Sequence, residues 1–196
     1  MAVIFLNGTT SAGKTSLAKA LQAELDRPYL LTGIDVAFAM LPDRFHNHQD
    51  GFRFDRTRSG RVRLFIGDLG LATLKAHHRA VAGMAASGVD LICDEVILTD
   101  ELRRDWIAVL DGIDVTFVGV QCELNELRQR EHARGDRVIG QAEGQFDVVH
   151  RNMTYDVEVD TTNCTPSEAA RFIAAKLARL KSPPGSLTPP PGSSEA

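Results

Sequence analysis

The sequence predicts a three-layer α/β fold built on a five-stranded parallel sheet, and three observations predict it. Five short apolar runs alternate with helix-like segments, the order that sandwiches parallel strands between helical layers. The first run, Val3-Ile4-Phe5-Leu6, leads into Gly8-Thr9-Thr10-Ser11-Ala12-Gly13-Lys14-Thr15, a complete G-x-x-x-x-G-K-[ST] phosphate loop that opens the helical segment 16–25. The third run, 89–94, closes on the paired acids Asp94-Glu95, as a strand ending in a metal-supporting carboxylate does.

The phosphate loop has a physical cause. Its glycines let the chain turn tightly, so that backbone N–H groups and a helix N-terminus face an anion. Gly8, Thr9, Thr10, Ser11, Ala12, Gly13, Lys14, Thr15 and Ser16 are the predicted nucleotide-binding residues. Lys14 reaches toward the terminal phosphates, and Thr15 with Asp94 is the predicted Mg²⁺ pair.

The second strand, Tyr29-Leu30-Leu31-Thr32, ends at Gly33-Ile34-Asp35. Ligands of open α/β sheets bind outside the strand ends, which puts Asp35 near the phosphate loop either as a catalytic base or as a helix cap for 36–41. Residues 42–67 change character. Alternation in Phe52-Arg53-Phe54 and Val62-Arg63-Leu64-Phe65 around Ser59-Gly60 predicts a hairpin inserted over an acceptor site. His46 and His48 lack a third partner at metal-ligand spacing.

A helix is expected over 68–87 with Gly88 as its stop, and the adjacent His77, His78 and Arg79 are expected on or near its surface. Thr99 caps a helix over 100–110 whose Trp106 packs in the core. The fourth strand spans 115–120. The helix 123–134 brings Arg130, Arg134 and Arg137 around Gly135, and repeated guanidinium groups beside a glycine read as a phosphate-clamping lid at about 130–140. A further helix is expected over 138–151, with Phe146, Val148 and Val149 inward and His150 structural. Alternation over 155–160 predicts an edge strand. Thr165-Pro166-Ser167-Glu168 is a capping box that starts the last helix, which ends near Leu180.

With 196 residues, 43% hydrophobic and 24% charged, the chain fits one domain over 1–181, followed by a Pro/Gly/Ser-rich tail at 182–196 expected to be disordered. A net charge of -4 gives no general drive toward nucleic acid or anionic membranes. No apolar run approaches the roughly 20 residues of a membrane helix, and the chain enters its first strand at once, so a cytoplasmic protein is expected. Cys93, Cys122 and Cys164 lack C-x-x-C spacing and are expected as reduced thiols. Neither an Asn-Lys-x-Asp guanine signature nor a nucleophile elbow is present.

Taken together, Gly8 to Thr15, Gly33-Ile34-Asp35, Ile92-Cys93-Asp94-Glu95-Val96, Ala133-Arg134-Gly135-Asp136-Arg137-Val138, Val148-Val149-His150 and the run from Tyr155 to Thr162 resemble the chloramphenicol phosphotransferase family. The likeness extends over about 3–178. It implies a P-loop kinase fold of the shikimate kinase type and ATP-dependent phosphorylation of a primary hydroxyl on a small-molecule acceptor, with ATP and Mg²⁺ bound. Asp35 would be the general base, with Lys14 and Arg137 catalytic and Arg134 in the lid. The loop 161–163 would lie near adenine. One departure stands out. Chloramphenicol is neutral, whereas the hairpin carries Arg53, Arg56, Arg58, Arg61 and Arg63 against the single acid Asp55. Either these arginines form a solvated face or the natural acceptor is an anionic metabolite. A nucleotide-binding regulatory ATPase is the reading from another class, and an apolar cavity beside Asp35 would speak against it.

Overall fold

The strand β1 (Val3–Asn7) is wholly buried, and its side chains alternate between two layers. Val3 and Phe5 join one core with Trp106, and Ile4 and Leu6 join the other with Leu17, Leu21 and Ile173. That alternation requires helices on both faces and neighbours on both edges. Parallel pairing with β2 (Tyr29–Gly33), β5 (Asp90–Glu95), β6 (Val115–Gln121) and β7 (Val157–Asp160) gives the order β2-β5-β1-β6-β7. This is the expected five-stranded parallel sheet, with β7 at an edge. The computed structural model describes residues 2–135 and 138–181. The expected tail at 182–196 lies outside them, as do Asp136 and Arg137.

One helical layer holds α1 (Lys14–Glu24) and α7 (Pro166–Lys181), which pack on each other beneath the phosphate loop. In the predicted capping box, Glu168 N donates to Thr165 Oγ1 at 3.2 Å, and Thr165 N donates to Glu168 Oε2 at 2.8 Å. The other layer holds α3 (Asp68–Ala86) and α4 (Asp100–Val109), the latter capped by Thr99 Oγ1 at 3.2 Å from Leu102 N. A third cluster, with Ile34 and Ala37 of α2 (Ile34–Ala39), Phe52, Leu74, Val96 and Val149, seats the hairpin of β3 (Phe52–Arg56) and β4 (Val62–Ile66) against the domain.

Two expectations are corrected. His77 and His78 are buried, not at a helix surface, because α3 is covered both by the sheet and by α4. His78 stacks on Trp106 with ring centroids 3.9 Å apart, and its Nδ1 lies 2.6 Å from the Asp105 carboxylate. The helix expected over 138–151 is only α6 (Gln141–Phe146), followed by turns. Its inward side chains are Gln141, Ala142 and Gln145, and Phe146 points to solvent, because the face it buries meets the phosphate loop through Gln145. Among the described residues no helix is long and apolar enough to cross a membrane.

Burial outweighs the pull of Asp105 and drives the His78 pKa from 6.5 down to about 4, and burial lowers His77 and His150 as well. The folded protein therefore resists a proton that the unfolded chain accepts near pH 6.5. The contribution of His78 to stability, about 3 kcal/mol, is full above that pH and is lost as pH falls from 6.5 toward 4. Urea unfolding at pH 7.5 and pH 5 should show wild type losing stability relative to H78F at the lower pH, a comparison that cancels the opposite pull of buried Glu95, whose carboxyl is raised to about 8. A difference between wild type and H78F that does not change across this window would refute the assignment.

Candidate active site

The phosphate loop closes between β1 and α1 through backbone geometry that its sequence permits. Gly13 takes φ 81° and Ser11 takes φ 63°, a left-handed turn that points successive N–H groups inward. Lys14 is buried and donates to Thr9 O at 2.9 Å, with its ammonium 3.6 Å from Asp94 Oδ1. The Ser11 hydroxyl is buried without a hydrogen-bond partner among the described residues. A buried donor of this kind fits a loop shaped for phosphate oxygens.

Thr15 Oγ1 donates to Asp94 Oδ2 at 2.6 Å, so the two residues predicted as the Mg²⁺ pair are in direct contact. A hydroxyl and one carboxylate suit a hard cation that keeps most of its shell as water and phosphate oxygens. The next residue, Glu95, is buried on the opposite face of the sheet, where burial and the charge of Asp94 push its carboxyl up to about 8. At neutral pH it is protonated, and β5 ends in one anion.

Gly33 pairs with Asp94 across the sheet, and a Cβ there would sit 2.1 Å from Asp94 O, so glycine lets β2 turn into α2 against the end of β5. Asp35 follows in the first turn of α2. The N-cap is Gly33, so the reading of Asp35 as the capping residue is corrected. Asp35 instead lines a cavity of about 220 Å³ together with Thr10, Lys14, Thr15, Asp94 and Arg134. The far wall is apolar, from Val36, Phe38, Leu64, Val96 and Leu98.

A second hollow of about 240 Å³ lies on the other side of the loop, lined by Gly13, Ser16, Leu17, Arg130, Thr161, Cys164 and Pro166. Thr161 Oγ1 donates to Ala12 O at 2.8 Å, which fixes this wall to the phosphate loop. Arg130, grouped with the lid in the sequence, is tied here by bonds to Thr161 O at 2.7 Å and to Glu126 at 2.8 Å. Arg134 ends α5 (Leu124–Arg134) and reaches the first cavity. Arg137 lies outside the described residues.

The hairpin arginines are engaged elsewhere. Arg53 pairs with Asp55 through two bonds of 2.8 Å. Arg56 donates to Ile139 O at 2.9 Å, and Arg61 contacts Glu143 and Asp147. Arg58 and Arg63 are exposed, and none of the five lines the cavity beside Asp35. Sequence reasoning missed Gln141 and Gln145, which do line it. Two polar residues four apart in a short segment opened by Gly140 were the available signal.

A phosphate loop at the carboxyl edge of a parallel sheet, a strand-end carboxylate on its threonine and an acid facing both across a cavity define a P-loop kinase. The chain belongs to the chloramphenicol phosphotransferase-like protein family, whose model matches residues 1–178. A Mycobacterium tuberculosis protein provisionally named an O-phosphotransferase is 33% identical over 184 residues, covering 86% of this chain and 79% of that protein. The fold is shared with the M. tuberculosis APS kinase in complex with AMPPNP and APS, at TM-score 0.62 and 14% identity over 90% of this chain and 97% of that one. A gluconokinase from Sinorhizobium meliloti superposes at TM-score 0.59 and 20% identity, covering 91% and 93%. The protein is a small-molecule O-phosphotransferase.

If Thr15 and Asp94 hold the metal, D94N should lose most of the gain in ADP affinity that Mg²⁺ confers on the wild type. Calorimetry with and without Mg²⁺ measures this, and an undiminished gain would separate Asp94 from the metal.

Proposed function

We propose that the protein transfers the γ-phosphoryl group of ATP to a hydroxyl of a neutral, partly apolar small molecule, for which the primary hydroxyl of chloramphenicol is the first acceptor to test. The observation that carries this reading is the single cavity in which Asp35 faces Lys14, Thr15 and Asp94 while its remaining wall is apolar. An anionic acceptor would leave that wall unmatched, and the hairpin arginines are turned away from it. The same cavity speaks against a regulatory ATPase, which requires no acceptor site.

In this mechanism the backbone N–H groups of the loop and Lys14 hold the phosphates. Mg²⁺, held by Thr15 and Asp94, would supply charge neutralisation and orientation there. Asp35 accepts the proton of the acceptor hydroxyl as its oxygen bonds to the γ-phosphorus and the bond to the bridging oxygen breaks, releasing ADP. The carboxylate acts late, since phosphoryl transfer depends chiefly on alignment and on charge spread over the moving group. Arg134, and Arg137 from the sequence pattern, would add guanidinium donors to that charge. The hollow beside Arg130 and Thr161 would take the adenine ring.

With ATP, Mg²⁺ and chloramphenicol, ADP release should match the appearance of a phosphomonoester by mass spectrometry. Enzyme that binds ATP yet leaves the antibiotic's mass unchanged would refute chloramphenicol as acceptor. D35N should keep nucleotide affinity and lower turnover on an accepted substrate by roughly 10²-fold or more. Should it instead lower the melting temperature at unchanged turnover per folded molecule, Asp35 serves the helix alone.

A further inference from the structure

The six-residue helix α6 is held from three sides. Beneath it, buried Glu131 accepts from Gly140 N at 2.7 Å and from Ala142 N at 2.8 Å. On the hairpin side, Val62 N donates to Gly140 O at 2.8 Å, and a Cβ on Gly144 would lie 1.9 Å from Val62 O, so the helix meets β4 at a separation only glycine allows. Arg61 and Arg128 both grip Glu143. On the third side, Gln145 Oε1 accepts from the phosphate-loop amide Thr10 N at 2.7 Å.

That last bond orients the Gln145 side chain. A backbone N–H can only donate, so the carboxamide oxygen must face Thr10 and the NH₂ is left over. The residue is 5% exposed and lines the cavity between the loop and Asp35, and its nitrogen has no hydrogen-bond partner among the described residues. The nitrogen is thus a donor left open to the cavity, available to whatever acceptor enters it. Phosphoryl oxygens are acceptors only, and a neutral donor held in place before the reaction stabilises their charge without reorganising.

We propose that Gln145 is a further catalytic residue: its Oε1 is locked to the phosphate loop while its NH₂ donates to the phosphoryl group being transferred. The inference rests on the phosphotransferase reading, and it gives the docking of the hairpin on α6 a purpose. Through Val62, Arg61 and Gly144 the cover of the acceptor site sets the position of a donor that serves the nucleotide.

Calorimetric affinities for ADP and for AMPPNP, both with Mg²⁺, test it on the full chain without need of an acceptor. A donor to the transferred group touches AMPPNP and not ADP. Q145M removes the bond to Thr10 as well as the donor, so the readout is the ratio of the two affinities: AMPPNP should weaken about tenfold more than ADP, and basal ATP hydrolysis should fall by roughly 10²-fold. If both affinities fall by the same factor, Gln145 only anchors Thr10 and the proposal is overturned. Unchanged affinities for both overturn it as well. Should Q145M fail to fold, Q145N, which withdraws the carboxamide by one methylene, is read in the same way. A wild-type protein that binds neither nucleotide would sink the phosphotransferase reading itself, and this inference with it.

Discussion

The three hydrogen bonds of the Asn7 side chain hold the site together. Asn7 ends β1 immediately before the phosphate loop and is fully buried. Its amide donates to Val149 O at 2.8 Å and to Tyr155 Oη at 2.7 Å, and its carbonyl accepts from Ile97 N at 2.9 Å. One side chain thus joins the exit of β5, the segment after α6 and the approach to β7. Each of these segments would otherwise leave a polar group in a dry interior, at about 1–3 kcal/mol apiece. Tyr155 continues the network to His150 Nδ1 at 2.7 Å, and burial pushes its phenol up to about 12, so it stays a neutral donor and acceptor.

From that junction the two halves of the site are placed by different forces. The phosphate half depends on strand register, because Leu6 pairs with Asp94 and Asp94 with Gly33, so loop, carboxylate and α2 share one edge. The acceptor half depends on packing and on charge. Phe38 and Phe52 meet with ring centroids 4.2 Å apart under the hairpin, and the arginines act as struts to β3, α6 and the segment before it. Such exposed pairs contribute little individually to stability. Their effect is to fix where the hairpin sits, and they do so while leaving the cavity wall apolar.

The strand end at Asp94 and Glu95 shows how burial sorts adjacent acids. Asp94 faces the loop and meets Thr15 and Lys14. Glu95 turns to the opposite layer, where Cys93 Sγ donates to it at 3.8 Å and His77 Nδ1 lies 3.9 Å away. Because Glu95 is neutral at physiological pH, the lysine and threonine of the loop face one carboxylate charge.

The α/β class, the five parallel strands, the phosphate loop and the hairpin were legible from residue order, because each rests on local periodicity or turn chemistry acting within about ten residues. Asp35, Lys14, Thr15 and Asp94 were legible as candidates for a related reason: each stands at a strand end or in the loop, and parallel strands bring such ends to one edge. The helix over 138–151 was overdrawn because its limits are set by distant contacts: Gly140 packs against Gly60 of the hairpin turn and Gly144 against Val62 of β4. His77 and His78 could not be placed from spacing, since their partners Thr32 and Asp105 lie 45 and 27 residues away. Gln145 was hidden for the same reason, as its bond to Thr10 spans 135 residues. Sequence alone determined the phosphate loop and the candidate carboxylates at the strand ends, because turn and strand signals are local. Only the tertiary structure decided which polar groups share a dry cavity, because burial and hydrogen bonding between distant segments exist only once the chain has closed.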